Sequence, residues 1–358
     1  MPLPLATSIR PLIPWLLLMK KHLNTLYITT DDTWLAQDGE TISVRVPGRP
    51  AVRIPFLNLE AIQTFGWNII ATPQLMAKCA EEKISLSFCT PHGNFLCRVC
   101  GFTSGNVLLR RAQYRLADDP PRALHIARNM VAAKILNART ILQRVCRDYP
   151  DKLQTLAPTC HELAYFAQQS RSAETPSQLL GIEGAAAEAY FRAFPHFFLT
   201  DALTFYSRSR RPPLDPVNAL LSFTYSLLTA DCKSALEAVG LDSAVGYYHR
   251  ERPGRPSLAL DLMEEFRAPL ADRMVLSLIN RRQISAKDFI HENNGAVRLT
   301  DDARRLVLTS WQERKKDVIV HPYLREKMPI GMLTHIQARL LAQYIRGALD
   351  AYPPMIWK

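Results

Sequence analysis

Long hydrophobic runs are missing from this 358-residue chain: none approaches the roughly 20 apolar residues that a membrane-spanning helix needs, so no membrane role is expected. The short apolar run from Pro11 to Leu18 follows a single arginine and shares its neighbourhood with Pro2, Pro4 and Pro14. It has no small-residue cleavage site and does not read as a secretory signal. Met19-Lys20-Lys21-His22 reads as a start, and residues 1–18 as an upstream extension, disordered or loosely packed. Glycine is scarce at 14 residues and the 25 prolines follow no period, which excludes collagen-like and low-complexity chains. The seven cysteines are odd in number and lack framework spacing, so a disulfide scaffold is excluded and a reducing cytoplasm is expected. Cys97 and Cys100 form one CxxC with no second pair. They lie in FLCRVCG, which reads as a strand, so buried structural thiols are expected there rather than zinc ligands. Also absent are a P-loop, a GxGxxG turn, a GxSxG elbow and an HExxH helix, which removes the commonest nucleotide, hydrolase and zinc-protease readings.

What is present is a folding composition, 47% hydrophobic and 22% charged with mean hydropathy −0.08, at a length suited to two domains. Lys and Arg exceed Asp and Glu by 44 to 33, a formal charge of +11, and 32 of the 44 cations are arginine. The guanidinium fork matches phosphate, so the excess leans toward nucleic acid.

The chain changes texture near residue 101. TLYITT (25–30), TISVRV (41–46), AVRIPF (51–56), ISLSFC (84–89) and NFLCRV (94–99) alternate with period two between Gly- and Pro-containing turns, and PQLMAKCAEEK (73–83) has helical spacing. Residues 19–101 are therefore expected to form a sandwich-like β-domain carrying one helix. Residues 102–118 read as a linker and 119–358 as a larger all-helical domain, for an α+β chain overall. Its helices are expected at 122–145, 177–194, 215–239, 257–282, 301–316 and 332–349. In the first, Leu124, Ala127, Val131, Lys134, Ala138, Leu142 and Val145 trace one mostly apolar stripe. SWQERKKD (310–317) reads as a solvated helix end, and His291, His321 and His335 as structural.

Three segments concentrate chemistry. In LGIEGAAAEAYF, Glu183 sits between two glycines and ahead of three alanines, where a substrate can approach; Glu188 lies about 140° further round the helix and cannot share its site. A purely electrostatic role near a helix N-terminus competes with this reading. In GYYHRERPGRPSLALDLMEEFR, His249 precedes a basic loop, and Asp261, Glu264 and Glu265 share one helical face opposite Leu260, Met263, Phe266 and Leu270. Like charges at that spacing repel unless a cation compensates, which points to a site; a solvated acidic face is the competing reading. One imidazole with two or more carboxylates suits Mg²⁺ or Mn²⁺ better than Zn²⁺. Arg250, Arg252, Arg255 and Arg267, with Arg208, Arg210 and Arg211 in RSRRPPLDP, are placed to contact phosphates.

These three segments, in this order and after a β-rich region, resemble the CRISPR-associated integrase family Cas one, over Met19–Lys358. The C-terminal QARLLAQYIRGALDAYPPMIWK is similar to members from type I-C systems. The resemblance implies a cytoplasmic prokaryotic enzyme, a homodimer through the β-domain, and a divalent metal on Glu183, His249 and Glu264 with Asp261 adjacent. It implies double-stranded DNA as substrate, in the form of a short fragment and a CRISPR repeat. It also implies a small ferredoxin-fold partner, Cas two, and a further adaptation nuclease of the same operon. The expected reaction is attack of a fragment's 3′-hydroxyl on a phosphodiester at the repeat boundary, with hydrolysis when water replaces the hydroxyl. The alternatives are a non-catalytic DNA-binding scaffold and a metal nuclease of general DNA repair.

Overall fold

The computed structural model describes residues 25–59, 61–82, 84–91, 95–101, 107–200 and 203–357; the expected extension 1–18 lies outside them. The described residues fall into two compact units, one of those up to Gly101 and one of those from Val107 onward.

The first unit is strand-rich, as the period-two segments require. Its strands are β1 (Thr25–Ile28), β2 (Trp34–Asp38), β3 (Thr41–Arg45), β4 (Val52–Pro55), β5 (Ala61–Phe65), β6 (Ile70–Ala71), β7 (Ser85–Cys89) and β8 (Phe95–Arg98), with helix α1 (Pro73–Glu81) before β7. One sheet has the order β1-β5-β7-β8 and the other β4-β3-β2-β6. Gly39, at φ +58°, opens the two-residue turn that sets Asp38 opposite Thr41 and fixes the β2–β3 register. Ile62 and Leu86 of one sheet, Leu35 and Ile42 of the other, and Leu75 of α1 pack into a single core. Cys97 and Cys100 are exposed rather than buried, because β8 is an edge strand and Cys100 lies beyond its end.

The second unit is mainly helical. Residues 107–117 of the expected linker form a helix, α2 (Val107–Ala117). It is followed by α3 (Pro120–Asp148), α4 (Leu153–Ser172), α5 (Pro176–Ala193) and α6 (Pro216–Ala238). Asp119, Thr175 and Asp215 each precede a proline and cap α3, α5 and α6 by accepting a backbone N–H three residues on. Helix α4 escapes a periodicity reading because Pro158 sits inside it and looks like a breaker. The expected single helix 257–282 is broken. Helix α7 (Ser257–Met263) gives way to a π-helical turn at Arg267–Asp272, where Pro269 has no N–H to donate, before α8 (Arg273–Asn280). Nor is the unit all-helical: β9 (Phe289–His291) pairs with β10 (Val297–Leu299), and beyond α9 (Asp301–Lys316), β11 (Val318–Val320) pairs with β12 (Lys327–Pro329). Three-residue strands are too short to show a period. The unit ends with α10 (Leu333–Ile345).

The 310–317 segment is not simply solvated. Trp311 is buried and donates its indole N–H to Asp231 at 3.0 Å, and Lys315 pairs with the same carboxylate at 2.7 Å. On α10, burial, with Arg339 one turn on, pushes the His335 imidazole down to about 4. A depressed base favours the native state when neutral, so its contribution is present above pH 6.5 and lost as pH falls toward 4. The loss amounts to about 3 kcal/mol at most. Denaturant unfolding between pH 4 and 7 is expected to show that slope in the wild type and a flatter one in His335→Gln.

Candidate metal centre

The site is assembled from four separate stretches of the second unit. Asp261, fully buried on α7, is its scaffold: one carboxylate oxygen accepts the backbone N–H of Tyr247 at 2.6 Å and of Tyr248 at 2.9 Å. The other accepts the His249 N–H at 2.8 Å and pairs with His249 Nδ1 at 2.7 Å. A carboxylate can only accept, so the imidazole proton belongs on Nδ1 and Nε2 keeps its lone pair for a ligand. Gly246 is required at this crossing, since a Cβ there would stand 2.8 Å from Asp261 Oδ2 and 2.9 Å from Ser257. Helix α2 steadies the incoming loop. Buried Gln113 donates to the Asp242 and Val245 carbonyls at 2.8 and 3.0 Å and accepts the Asp242 N–H at 2.9 Å.

Glu183 lies two turns inside α5, not at its N-terminus, so the charge–dipole reading does not account for it. It accepts the Tyr248 hydroxyl at 3.3 Å, and Tyr248 stacks edge-on against His249 with ring centroids 5.2 Å apart. Burial, then the nearby Glu183 carboxylate, raises the Tyr248 phenol, which stays a neutral donor. The flanking Gly181 and Gly184 face open space, in keeping with a substrate's approach rather than close packing by the chain itself. Glu188 is exposed and separate.

Glu264 closes α7. Burial pushes its carboxyl up, but the Arg267 and Lys134 cations overcome that and hold it well below the usual carboxylate range, a firm anion. Arg267 donates to both of its oxygens at 2.9 and 3.2 Å, and Lys134 on α3 pairs with it at 2.7 Å. The same Lys134 ammonium also pairs with Glu183, so the two glutamates share one cation. Lys134 is the side chain at the site that the stripe in α3 conceals. Its signal in the sequence is that of a single lysine among Val131, Ile135 and Ala138.

Asp261, Glu264 and Glu265 are all buried, which removes the solvated-face reading, and they do not share a direction. Glu265 accepts from Tyr352 at 2.6 Å, Met355 N at 2.7 Å and Gln337 at 3.0 Å, away from the other two. The face expected to be buried is only partly so, since half-buried Leu260 borders the cleft.

Glu183, His249 and Glu264 open onto a cleft of about 1460 Å³ whose lining includes Arg208, Arg210, Arg211, Arg250, Arg252, Arg255 and Arg267. These arginines are not equivalent. Arg210, Arg211, Arg250 and Arg252 are exposed at the rim and Arg255 is half-buried. Arg208 is pinned to Asn218 at 2.6 Å and Ser222 at 3.2 Å. Arg267 is committed to Glu264 and lies 4.2 Å from the Tyr225 ring centroid, so the structure shows it as an intramolecular partner rather than a free phosphate clamp. Behind it, Tyr225 and Tyr190 donate to buried Asp272 at 2.5 and 3.0 Å. Arg304 of α9, not singled out from sequence, also lines the cleft and leaves its buried Nη1 without a partner.

The family model of CRISPR associated protein Cas1 matches residues 26–313, well over half the chain. The chain belongs to the Cas1 family. A relative from Chlorobaculum tepidum, named CRISPR-associated endonuclease Cas1 1, is 48% identical over 95% of this chain and 100% of its own length. A Rhodospirillum rubrum relative named CRISPR-associated exonuclease Cas4/endonuclease Cas1 fusion is 37% identical over 92% of this chain and 57% of its own. Among solved structures, a chain of a Cas6-RT-Cas1–Cas2 complex superposes with a TM-score of 0.80 at 25% identity, covering 95% of this chain and 36% of that one. A CAS1 protein from Thermotoga maritima superposes at 0.77, with 24% identity and 90% and 97% coverage, and shares the fold. This member of the Cas1 family is an endonuclease of α+β fold, with a strand-rich part followed by a helical one. Among the described residues, no helix is long and apolar enough to cross a membrane, and no group of three His, Cys, Asp or Glu side chains is already disposed to hold a metal ion. In the site the cation between the carboxylates is Lys134.

The rim arginines give a direct expectation for DNA binding. Arg210→Gln with Arg211→Gln removes two exposed cations and no internal pair. The slope of log affinity against log salt is expected to fall by about 2, with unfolding unchanged. Anisotropy titrations of a labelled duplex at several salt concentrations check this; an unaltered slope means neither residue meets phosphate.

Proposed function

We propose that this Cas1 endonuclease joins short DNA fragments into a CRISPR array, with Glu183, His249 and Glu264 holding a divalent metal at the reacting phosphodiester. The observation that carries the reading is that a buried and a half-buried carboxylate from different elements share one cation beside an imidazole whose Nε2 is free, at the foot of an arginine-lined cleft. That donor set of hard oxygens and one nitrogen fits Mg²⁺ or Mn²⁺. A metal bound there would neutralise charge developing on the phosphodiester and lower the pKa of the attacking hydroxyl or of water.

The chain's own residues supply the rest. Asp261, with both oxygens engaged, is placed to orient His249, which supports Glu264 rather than Asp261 as the third ligand. Tyr248 fixes the Glu183 carboxylate, and Arg267 fixes that of Glu264. Arg210, Arg211, Arg250 and Arg252 meet the flanking phosphates of double-stranded DNA, and Arg255 supports them by donating to the Arg250 carbonyl at 3.4 Å. Arg208 holds the 206–216 loop in place.

In assembly, residues 19–101 serve as the dimerisation domain. Exposed Trp34, Trp67 and Ile70 on that unit support a homodimer through it. The named complex of a structural neighbour supports a Cas two partner, and the fused relative supports a Cas4-type exonuclease as the further adaptation nuclease. The C-terminal stretch supports type I-C, and the odd number and scattered spacing of the seven cysteines support a reducing cytoplasm.

The test is a labelled duplex incubated with Mn²⁺ or Mg²⁺. Wild type is expected to cleave and join it, and His249→Ala to lose both by at least about 100-fold. Full activity in His249→Ala, or full activity after chelation, contradicts the assignment.

A further inference from the structure

Lys134 is an unusual occupant of its position. It sits in the apolar stripe of α3, its side chain only 14% exposed, with buried Val131 and Ile135 beside it. Its ammonium reaches Glu183 on α5 and, at 2.7 Å, Glu264 at the end of α7, whose side chains are 16% and 6% exposed. Two carboxylates brought this close in a water-poor setting repel strongly unless a cation lies between them. Of the two glutamates Arg267 pairs with Glu264 and not with Glu183, so the shared cation is the lysine. A lysine also suits a temporary role better than an arginine does: it is a compact charge on a flexible four-carbon stem, without the planar fork that locks a bidentate pair.

We propose that Lys134 is a built-in counter-ion that holds Glu183 and Glu264 together while no divalent cation is bound and swings aside when one enters. This rests on reading Glu183, His249 and Glu264 as the metal ligands. It makes Lys134 a positioning residue: the site keeps its shape without metal, and affinity for metal is set lower than the donors alone would give, because the ammonium competes for them.

The full chain is titrated with Mn²⁺ alone, by calorimetry and thermal unfolding, as wild type, Lys134→Met and Lys134→Arg. Lys134→Met is expected to melt lower without metal, to gain more on adding Mn²⁺, and to bind Mn²⁺ at least about tenfold more tightly, the equivalent of 1.4 kcal/mol. A merely structural lysine would give the opposite sign, since a loosened site binds metal less well. Lys134→Arg is expected to recover the metal-free melting temperature. As a measurement independent of folding in the variants, wild type is treated with an amine-acylating reagent and analysed by mass spectrometry. Labelling of Lys134 is expected to rise several-fold with Mn²⁺ while that of Lys287 stays constant. Mn²⁺ affinity in Lys134→Met that is unchanged or weaker, or labelling indifferent to Mn²⁺, overturns the proposal. The two readings fail differently. Mn²⁺ binding lost in His249→Ala but unaltered in Lys134→Met removes only the lysine's role, whereas binding unaffected in His249→Ala removes the ligand assignment and this proposal with it.

Discussion

Glu264→Gln is expected to abolish DNA cleavage and joining, by about 1000-fold or more, and to destabilise the protein in the same stroke. The catalytic loss follows from removing an anionic donor where charge develops in the transition state, an effect that commonly reaches this size. The stability loss has a separate origin. Glu264 is buried between Lys134 at 2.7 Å and Arg267 at 2.9 Å. An isosteric amide leaves both cations without their shared anion. Breaking one side of a buried ion pair costs about 3–5 kcal/mol, and the amide oxygen, still able to accept a hydrogen bond, keeps the figure near the lower end. Joining assays and denaturant unfolding on the same preparation separate the two effects. An active variant removes Glu264 from the ligand set, and unchanged stability means the ion cluster does not contribute to the fold.

Glu265→Ala is expected to cost stability by about 3–5 kcal/mol with no change to any metal ligand. Glu265 fastens the C-terminal segment by accepting Tyr352 OH, Met355 N and Gln337 Nε2 at 2.6, 2.7 and 3.0 Å. Burial pushes this carboxyl up to about 7, against the pull of those three donors. Removing the acceptor leaves the Tyr352 hydroxyl and the Met355 N–H buried and unsatisfied, at roughly 1–3 kcal/mol each before relaxation, while Gln337 keeps the Tyr352 oxygen and the Pro353 carbonyl as acceptors. A second fastening shares the strain: buried Asn137 of α3 donates to the Met355 carbonyl at 2.8 Å and accepts Trp357 N at 2.6 Å. Hydrogen exchange is the sharpest readout. The amides of Met355 and Trp357 are expected to lose protection in Glu265→Ala ahead of global unfolding. If their protection is retained, the segment is held by packing alone.

Sequence periodicity locates most of the long helices because their capping chemistry is explicit: Asp119, Thr175 and Asp215 each stand before a proline and mark a start within a residue or two. It misses α4 because Pro158 reads as a break, and it runs α7 through to α8 because nothing in a 3.6-residue pattern announces a π-helical turn. Helix α2 reads as a linker, yet its Gln113 holds the loop that delivers His249. At the site, the residue types and spacing around Glu183, His249 and Glu264 are readable, and so is the repulsion that needs an answer. The answer is not. It comes from Lys134, more than a hundred residues before Glu264, and from three consecutive backbone amides that occupy Asp261. Spacing alone treats Asp261, Glu264 and Glu265 as equals on one face. In the fold Asp261 orients the imidazole, Glu264 faces the cleft and Glu265 ties down the C-terminal segment.

Glu183, together with His249 and Glu264, forms the metal-dependent joining site proposed for this Cas1 chain. The most direct measurement is integration of a labelled duplex fragment into a plasmid bearing a CRISPR repeat, with Mn²⁺ and a purified Cas two partner, comparing wild type with Glu183→Ala. Joined product at the repeat boundary is expected for wild type and none for Glu183→Ala, with unaltered DNA affinity in both. Wild-type levels of joining by Glu183→Ala would contradict the claim.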